Sequence, residues 1–199
     1  RHQQPVADDA LALYAPHANL MMESGIIDFE PLVPLNHIAD AHACRGFSYA
    51  TDLFTAFTMT YRGFVDICFL GVGQVDTFGN LNTTCIGDYY SPDLRLPGSG
   101  GAADFISYAK KTVLTLRGDQ FVEKLDYFTS PGYLDGGDSR DRSGLFPQGS
   151  GPSMLLTTKG VFRFISGSLP SQAYEIKTPT ATIGVRGTII LIGLLPDGT

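Results

Sequence analysis

Apolar residues along this chain gather in short runs, broken by glycines, prolines and polar stretches, and the periodicity within each run assigns the elements. Residues 7–15 (ADDALALYA) read as a helix stopped ahead of Pro16, because the residue before a proline is pushed out of the helical region. Residues 19–23 read as a strand, and residues 26–46, which carry Pro31 and Pro34, as irregular chain. Residues 50–62 suit an amphipathic helix, with Leu53, Phe57 and Tyr61 near helical spacing and Gly63 at the end. Val65 to Gly71 reads as a buried strand. A helix, an apolar strand and then a glycine-rich turn is the rhythm of an α/β sheet. Further strands are expected at Thr112–Leu116 and Lys124–Thr129, and a helix over 103–109. Residues 130–152 form a long polar loop, a length that usually marks a functional or mobile segment. After about Gly160 the helical period disappears, and 161–165, 174–178 and 181–192 read as β segments with turns at Ser166-Gly167-Ser168 and Pro179. A boundary near residue 160 therefore divides an α/β domain (1–160) from a β-rich tail (161–199).

Composition narrows the classes. Hydrophobic residues make up 43% and charged residues 17% of the 199, enough apolar material for a packed core. A formal net charge of −6, without any lysine- or arginine-rich run, argues against nucleic acid and anionic membranes as partners. No apolar run approaches the ~18 residues of a membrane span. The three cysteines, Cys44, Cys68 and Cys85, match neither a disulfide framework nor a zinc pattern, and free thiols suit a reducing, cytoplasmic compartment. The start, Arg1-His2-Gln3-Gln4-Pro5, is not a signal peptide. Without an initiator Met it reads as a point inside a longer parent, so the first domain is expected to be truncated at its N-terminus.

Chemistry gathers around one carboxylate. In Leu20-Met21-Met22-Glu23-Ser24-Gly25 an apolar run leads directly into Glu23, and a carboxylate at such an edge is costly unless it is solvated or hydrogen-bonded. It is either a cap or a reactive group. Downstream, Gly98-Ser99-Gly100-Gly101-Ala102-Ala103-Asp104 is either a turn or, opening a helix, an anion-binding loop. It is neither a P-loop nor a dinucleotide fingerprint, because no Gly-Lys-Ser/Thr and no GxGxxG is present. His37, His42 and Cys44 lie close together without the spacing of a zinc site, and no metal is expected. Asp138, Arg140, Asp141 and Arg142 read as a solvated loop with weak local ion pairs, and Lys110-Lys111 as a solvated helix end.

Taken in order, the motifs resemble the β subunit of glutaconate CoA-transferase and its relatives, the class I CoA-transferases. The likeness starts at Tyr14-Ala15-Pro16-His17 and Glu23-Ser24-Gly25. It continues through Gly73-Gln74-Val75-Asp76, Phe78-Gly79-Asn80-Leu81-Asn82, Ile86-Gly87-Asp88-Tyr89 and Gly98-Ser99-Gly100-Gly101-Ala102. It ends in Lys124-Leu125-Asp126-Tyr127 and Ser130-Pro131-Gly132-Tyr133-Leu134-Asp135-Gly136. It spans about residues 10–160. The resemblance implies a twisted, mostly parallel sheet flanked by helices (the NagB/RpiA-like type) with a short C-terminal β extension. It also implies coenzyme A as substrate and covalent intermediate, and an α subunit as partner. In that family a glutamate in an ESG motif attacks an acyl-CoA, and Glu23 matches it. The resemblance further assigns the backbone N–H groups of Gly100, Gly101 and Ala102 to the tetrahedral oxyanion. It places Ser24, Gly25, Gln74, Asn80 and Asn82 in the cleft for CoA and a carboxylic acid, or in the loops that shape it.

Past Lys159 the likeness changes. Phe162-Arg163-Phe164-Ile165-Ser166-Gly167 and the run Ile176 to Thr188 (IKTPTATIGVRGT) resemble part of a FecR-type domain, a β module of bacterial envelope proteins. About 30–40 such residues bury too little apolar surface to stand alone. Two rival functions follow. One is a hydrolase of the same fold, acting on an acyl-CoA or cleaving a ring in a CoA thioester. The other is an inactive fusion or an envelope-associated β scaffold.

Overall fold

The computed structural model describes residues 18–30, 32, 33, 35, 37–118, 120–165, 174–177, 182–185 and 189–193. The helix expected over 7–15, the turns at 166–168 and Pro179, and parts of the 176–188 motif lie outside the described residues. The chain forms two compact units, Arg1–Phe64 and Val65–Thr199.

In the first unit, β1 (Ile26–Ile27) pairs antiparallel with β2 (Tyr49–Ala50), in the register Ile26↔Ala50 and Ile27↔Tyr49. An isolated bridge, Met21↔Ile27, folds the preceding residues back on β1. Residues 19–22 are thus one arm of a hairpin with a single bridge and Glu23 lies in its turn, in place of the strand expected over 19–23. A 3-10 turn (Ala41–Cys44) is capped by Asp40, which accepts from the His42 N–H. Met22, Phe29, Leu35 and Ala43 make the small core.

Helix α1 (Leu53–Tyr61) starts at Asp52, whose carboxylate accepts from the Thr55 N–H at 2.7 Å. That cap bond favours the charged form and holds the Asp52 carboxyl below its usual range. The helix stops in a Schellman motif: Gly63 N–H bonds Thr60 O and Phe64 N–H bonds Met59 O, both at 3.0 Å, with Gly63 at φ 77°. The apolar stripe in the sequence is not the buried one. Ala56 and Thr60 are buried, whereas Leu53 and Tyr61 are about half exposed. Small side chains allow the closest approach to a helix, so burial here follows size more than hydropathy.

The second unit is built on a five-stranded sheet of order β14-β11-β10-β8-β3. Its strands are β3 (Ile67–Val72), β8 (Lys111–Leu116), β10 (Pro152–Thr157), β11 (Gly160–Ile165) and β14 (Ile189–Gly193). β3, β8 and β10 run parallel; β11 and β14 are added antiparallel. Strand β8, between β10 and β3, is buried almost throughout, at Thr112, Val113, Leu114 and Leu116, as a parallel strand covered on both faces requires, whereas edge strand β3 alternates, with Cys68 buried and Ile67 and Phe69 exposed. Helix α2 (Ala102–Tyr108) leads directly into β8 and buries Phe105 and Ile106. The core joins Leu114, Leu116, Leu155 and Phe164 of the sheet to Ile106, Val75, Leu81 and Tyr133.

Shorter pieces flank this sheet. β4 (Gln74–Asp76) lies between β5 (Leu81–Asn82) and β9 (Phe121–Val122). β6 (Cys85–Gly87) pairs with β7 (Pro92–Arg95), and β12 (Tyr174–Lys177) with β13 (Thr182–Val185). Lys124–Thr129 is not a strand. Its polar groups bond sideways instead: Thr129 Oγ1 accepts from Thr83 N–H, and Asp126 serves β4 and β6. Of the described strands beyond residue 160, β11 and β14 continue the ladder of β10, so this part of the tail shares its sheet with the motif-bearing region, while β12 and β13 form a separate pair.

Candidate active site

Glu23 occupies the tip of a tight hairpin. Gly25 N–H bonds Met22 O and Met22 N–H bonds Ile26 O, both at 2.9 Å. Gly25 follows the turn at φ 95°. A three-residue loop ending in a left-handed glycine is a preferred hairpin connection, and it explains the order Glu-Ser-Gly. Met22 anchors the tip from within the core, while Glu23 and Ser24 are half-buried. Gly25 is needed twice over. Its φ disfavours any side chain, and a Cβ would lie 2.6 Å from the Thr51 carbonyl oxygen and 2.9 Å from that of Asp52. Thr51 N–H in turn bonds Gly25 O at 2.9 Å. The backbone that carries Glu23 is therefore a tight turn braced against the residues that lead into α1.

Gly98–Ala102 forms the turn into α2. Gly98 and Gly100 both have positive φ, 98° and 47°, and Ser99 and Gly100 are exposed. Ala102 N–H donates to Ser99 O at 2.8 Å, and Gly101 O accepts from Phe105 N–H at 2.9 Å. The Ala102 donor is thus engaged by the turn itself, and the exposed members of the turn are Ser99 and Gly100.

Gln74, Asn80 and Asn82 are all buried in a network that ties loops together. Asn82 Nδ2 donates to Gln74 Oε1 (2.7 Å) and Cys85 O (2.6 Å). Its Oδ1 accepts from Thr84 N–H at 3.0 Å. Gln74 Nε2 donates to Asp126 Oδ2 at 2.9 Å, and the same oxygen accepts from Gly87 N–H at 2.9 Å. Asn80 uses its whole amide: Oδ1 accepts from Gly132 N–H (2.8 Å) and Leu134 N–H (3.1 Å), and Nδ2 donates to Asp76 Oδ2 and Leu134 O (both 2.8 Å). Asp76 also accepts from the Phe78 and Asn80 N–H groups, yet burial outweighs these bonds and pushes its carboxyl above the usual range. The motif around Asn80 and the Ser130-Pro131-Gly132 motif are two halves of one joint. A Cβ on Gly132 would lie 2.2 Å from the carbonyl carbon and oxygen of Gly79.

The polar segment 130–152 differs most from expectation. It contains α3 (Ser139–Ser143), and within it Arg140 is 1% exposed, not solvated. Its guanidinium donates to Gly132 O (2.7 Å), Ile106 O (2.8 Å), Ser107 O (3.0 Å) and Ser150 Oγ (3.1 Å), and lies 4.0 Å from the Phe146 ring centre. Burial lowers its pKa to about 10, so it stays cationic at neutral pH. The neighbouring Arg142–Asp138 pair, 2.9 Å apart, is exposed as expected. That i,i+4 pair carries a signal: it marks a helical turn, and residue 140 falls on the opposite face. Lys110 is exposed and pairs with Asp66 at 2.6 Å. His42 Nδ1 lies 2.7 Å from Asp40 Oδ1, and among the described residues no group of three or more His, Cys, Asp or Glu is placed to hold a metal.

A family profile described as Coenzyme A transferase matches residues 6–180. The chain belongs to the coenzyme A transferase family. It is 35% identical over 165 residues to a subunit of glutaconate CoA-transferase from Acidaminococcus fermentans, a match covering 79% of this chain and 61% of the relative. It is 38% identical over 157 residues to a subunit of 3-oxoadipate CoA-transferase from Pseudomonas knackmussii, covering 77% and 60%. The fold matches the crystal structure of glutaconate coenzyme A-transferase from A. fermentans with a TM-score of 0.72 at 32% identity, over 80% of this chain and 63% of that one. The chain thus spans about three-fifths of the length of the curated relatives it matches. The transferase match runs through residue 180, across most of the segment likened to a FecR-type domain, and that second likeness gains no support. No helix among the described residues is long and apolar enough to cross a membrane.

Proposed function

We propose that this chain is the glutamate-bearing β subunit of a two-subunit CoA-transferase, working in the cytoplasm with an α subunit. The observation that carries the reading is Glu23 at the tip of a hairpin whose glycine admits no side chain. The relatives are named for glutaconate and 3-oxoadipate, so the CoA ester of a dicarboxylic acid is the proposed donor.

A Glu23 carboxylate oxygen attacks the thioester carbonyl, and the resulting tetrahedral oxyanion expels CoA thiolate to leave an acyl-glutamyl anhydride. The thiolate attacks the glutamyl carbonyl and releases the donor acid, giving a glutamyl-CoA thioester. The acceptor carboxylate then attacks that thioester, and the same two steps in reverse deliver the new acyl-CoA and free Glu23. Backbone amides of the Gly98–Ala102 turn, led by Gly100 and with Gly101, are assigned to the oxyanion. Ser24 and Gly25 are assigned to the rim around Glu23. Gln74, Asn80 and Asn82 are assigned to shaping the loops of the cleft. For residues 161–190 we propose a role as an extension of the transferase sheet, not as an independent FecR-type module.

The test combines the chain with its α subunit and supplies glutaconyl-CoA as donor and acetate as acceptor. Hydroxylamine or borohydride is expected to trap a derivative at Glu23, read by peptide mass. Glu23→Gln is expected to lower kcat roughly 10,000-fold or more. A wild-type pair that turns over acyl-CoA without labelling Glu23 overturns the assignment. Turnover to free acid with no transfer to acetate favours the hydrolase.

A further inference from the structure

Arg140 is a buried cation whose hydrogen-bond partners in the structure are carbonyls and one hydroxyl. Its guanidinium joins two segments: Ile106 and Ser107, at the C-terminal end of α2, and Pro131–Gly132, which is itself keyed into Gly79–Asn80. Ser150 Oγ bonds the same guanidinium and Ser107 O (3.2 Å), closing the cluster. A neutral side chain would fill this volume at lower desolvation cost, so the charge is retained for what the fork holds. A planar fork fixes several carbonyls at once, which a lysine ammonium does not. The positive charge also meets the carbonyl end of α2, the favourable end for a cation. α2 is a short rigid rod, and the turn Gly98–Ala102 is its other end.

The geometry points to Arg140 as a positioning residue for the transferase reaction: by clamping the last turn of α2 to Pro131–Gly132, it sets where the Gly98–Ala102 turn stands. Arg140 touches no reacting atom. It acts through the helix, and this inference rests on the transferase reading above.

The test uses Arg140→Lys in the full chain paired with its α subunit, with glutaconyl-CoA and acetate. Lysine keeps the charge and loses the fork. The expected result is a kcat lowered about 10- to 100-fold, the scale of a misplaced group, with KM for glutaconyl-CoA within about threefold of wild type. Hydrogen exchange supplies the second reading. Peptides covering 98–108 should exchange faster in the variant, while β8 (111–116) keeps its protection. Phe146→Leu, which removes the stacked ring and leaves the hydrogen bonds, should move both readings the same way by less. An unchanged kcat, unchanged exchange over 98–108, or a loss of activity matching the unfolded fraction overturns the inference, as does failure of Arg140→Lys to fold. If the wild-type pair forms no Glu23 derivative, the transferase reading falls and takes the catalytic half with it. Hydrogen exchange still decides whether Arg140 sets the turn.

Discussion

The turn Gly98–Ala102 and the segment Pro131–Gly137 look alike in sequence, since both are short, glycine-rich and polar. In the structure they are opposites. Around Gly98 there is nothing within 4 Å of where a Cβ would stand. Around Gly132 the backbone of Gly79 is so close that a Cβ has no room, and Asn80 and Arg140 hold the neighbouring amides and carbonyls. Glycine is used for two different purposes. At Gly98 it supplies a left-handed conformation in open space. At Gly132 it supplies close approach of two backbones. Loop length and polarity therefore say little about rigidity; the count of satisfied buried polar groups says more.

The largest effect that would break this contrast is expected at the tight end. Gly132→Ala forces backbone apart from backbone and should cost about 3 kcal/mol. In a chain of this size that lowers Tm by roughly 10 °C, readable by calorimetry. A shift of a degree or two would mean that the joint yields easily.

Asn80→Ala comes next. It leaves the Gly132 and Leu134 N–H groups and the Leu134 carbonyl without their buried partner, for about 2–3 kcal/mol in urea unfolding. Gly98→Ala should cost less, about 1–2 kcal/mol, because only the conformation at φ 98° is lost and no atom is displaced. If Gly98→Ala proved as costly as Gly132→Ala, the contrast between the two loops would fail.

These pairs also show what was legible in the chain. Residues 67–72, 102–108 and 111–116 were readable because their signals are local: an apolar run, a glycine-rich entry to a helix, and a run of threonine, valine and leucine. The Glu23-Ser24-Gly25 motif was readable as a motif. Its hairpin was not, because the turn depends on Met22 pairing with Ile26 and on Thr51 lying against Gly25. Arg140 was misread for a clearer reason. Charged residues in a polar stretch normally face solvent, and its partners are backbone carbonyls as far back as Ile106, which no side-chain pattern announces. Lys124–Thr129 failed as a strand for the same cause: Asp126 and Thr129 bond to Gln74, Gly87 and Thr83, and those bonds replace a ladder.

The smallest effect sharpens the tight end electrostatically. Asp76 supports the turn that presents Asn80, and burial holds its carboxyl above the ordinary value of 3.8. On acidification from neutrality the folded state takes up this proton first. Below pH 3.8 the side chain is protonated in both states, and its contribution to stability is fully present there. As pH rises through 3.8 and on through the raised folded value, the unfolded chain ionises ahead of the folded one, and that contribution is lost. Asp76→Asn carries no charge at any pH. The stability of wild type relative to this variant should therefore fall as pH rises from about 3.8 toward neutrality, and level off above the folded value. Losing the Asn80 Nδ2 bond shifts the variant by an amount that does not depend on pH, so urea unfolding at a series of pH values separates the two. A relative stability that rises with pH would mean that the bonds from Phe78 and Asn80 outweigh burial, and that the joint around Gly132 is anchored by a stabilised carboxylate.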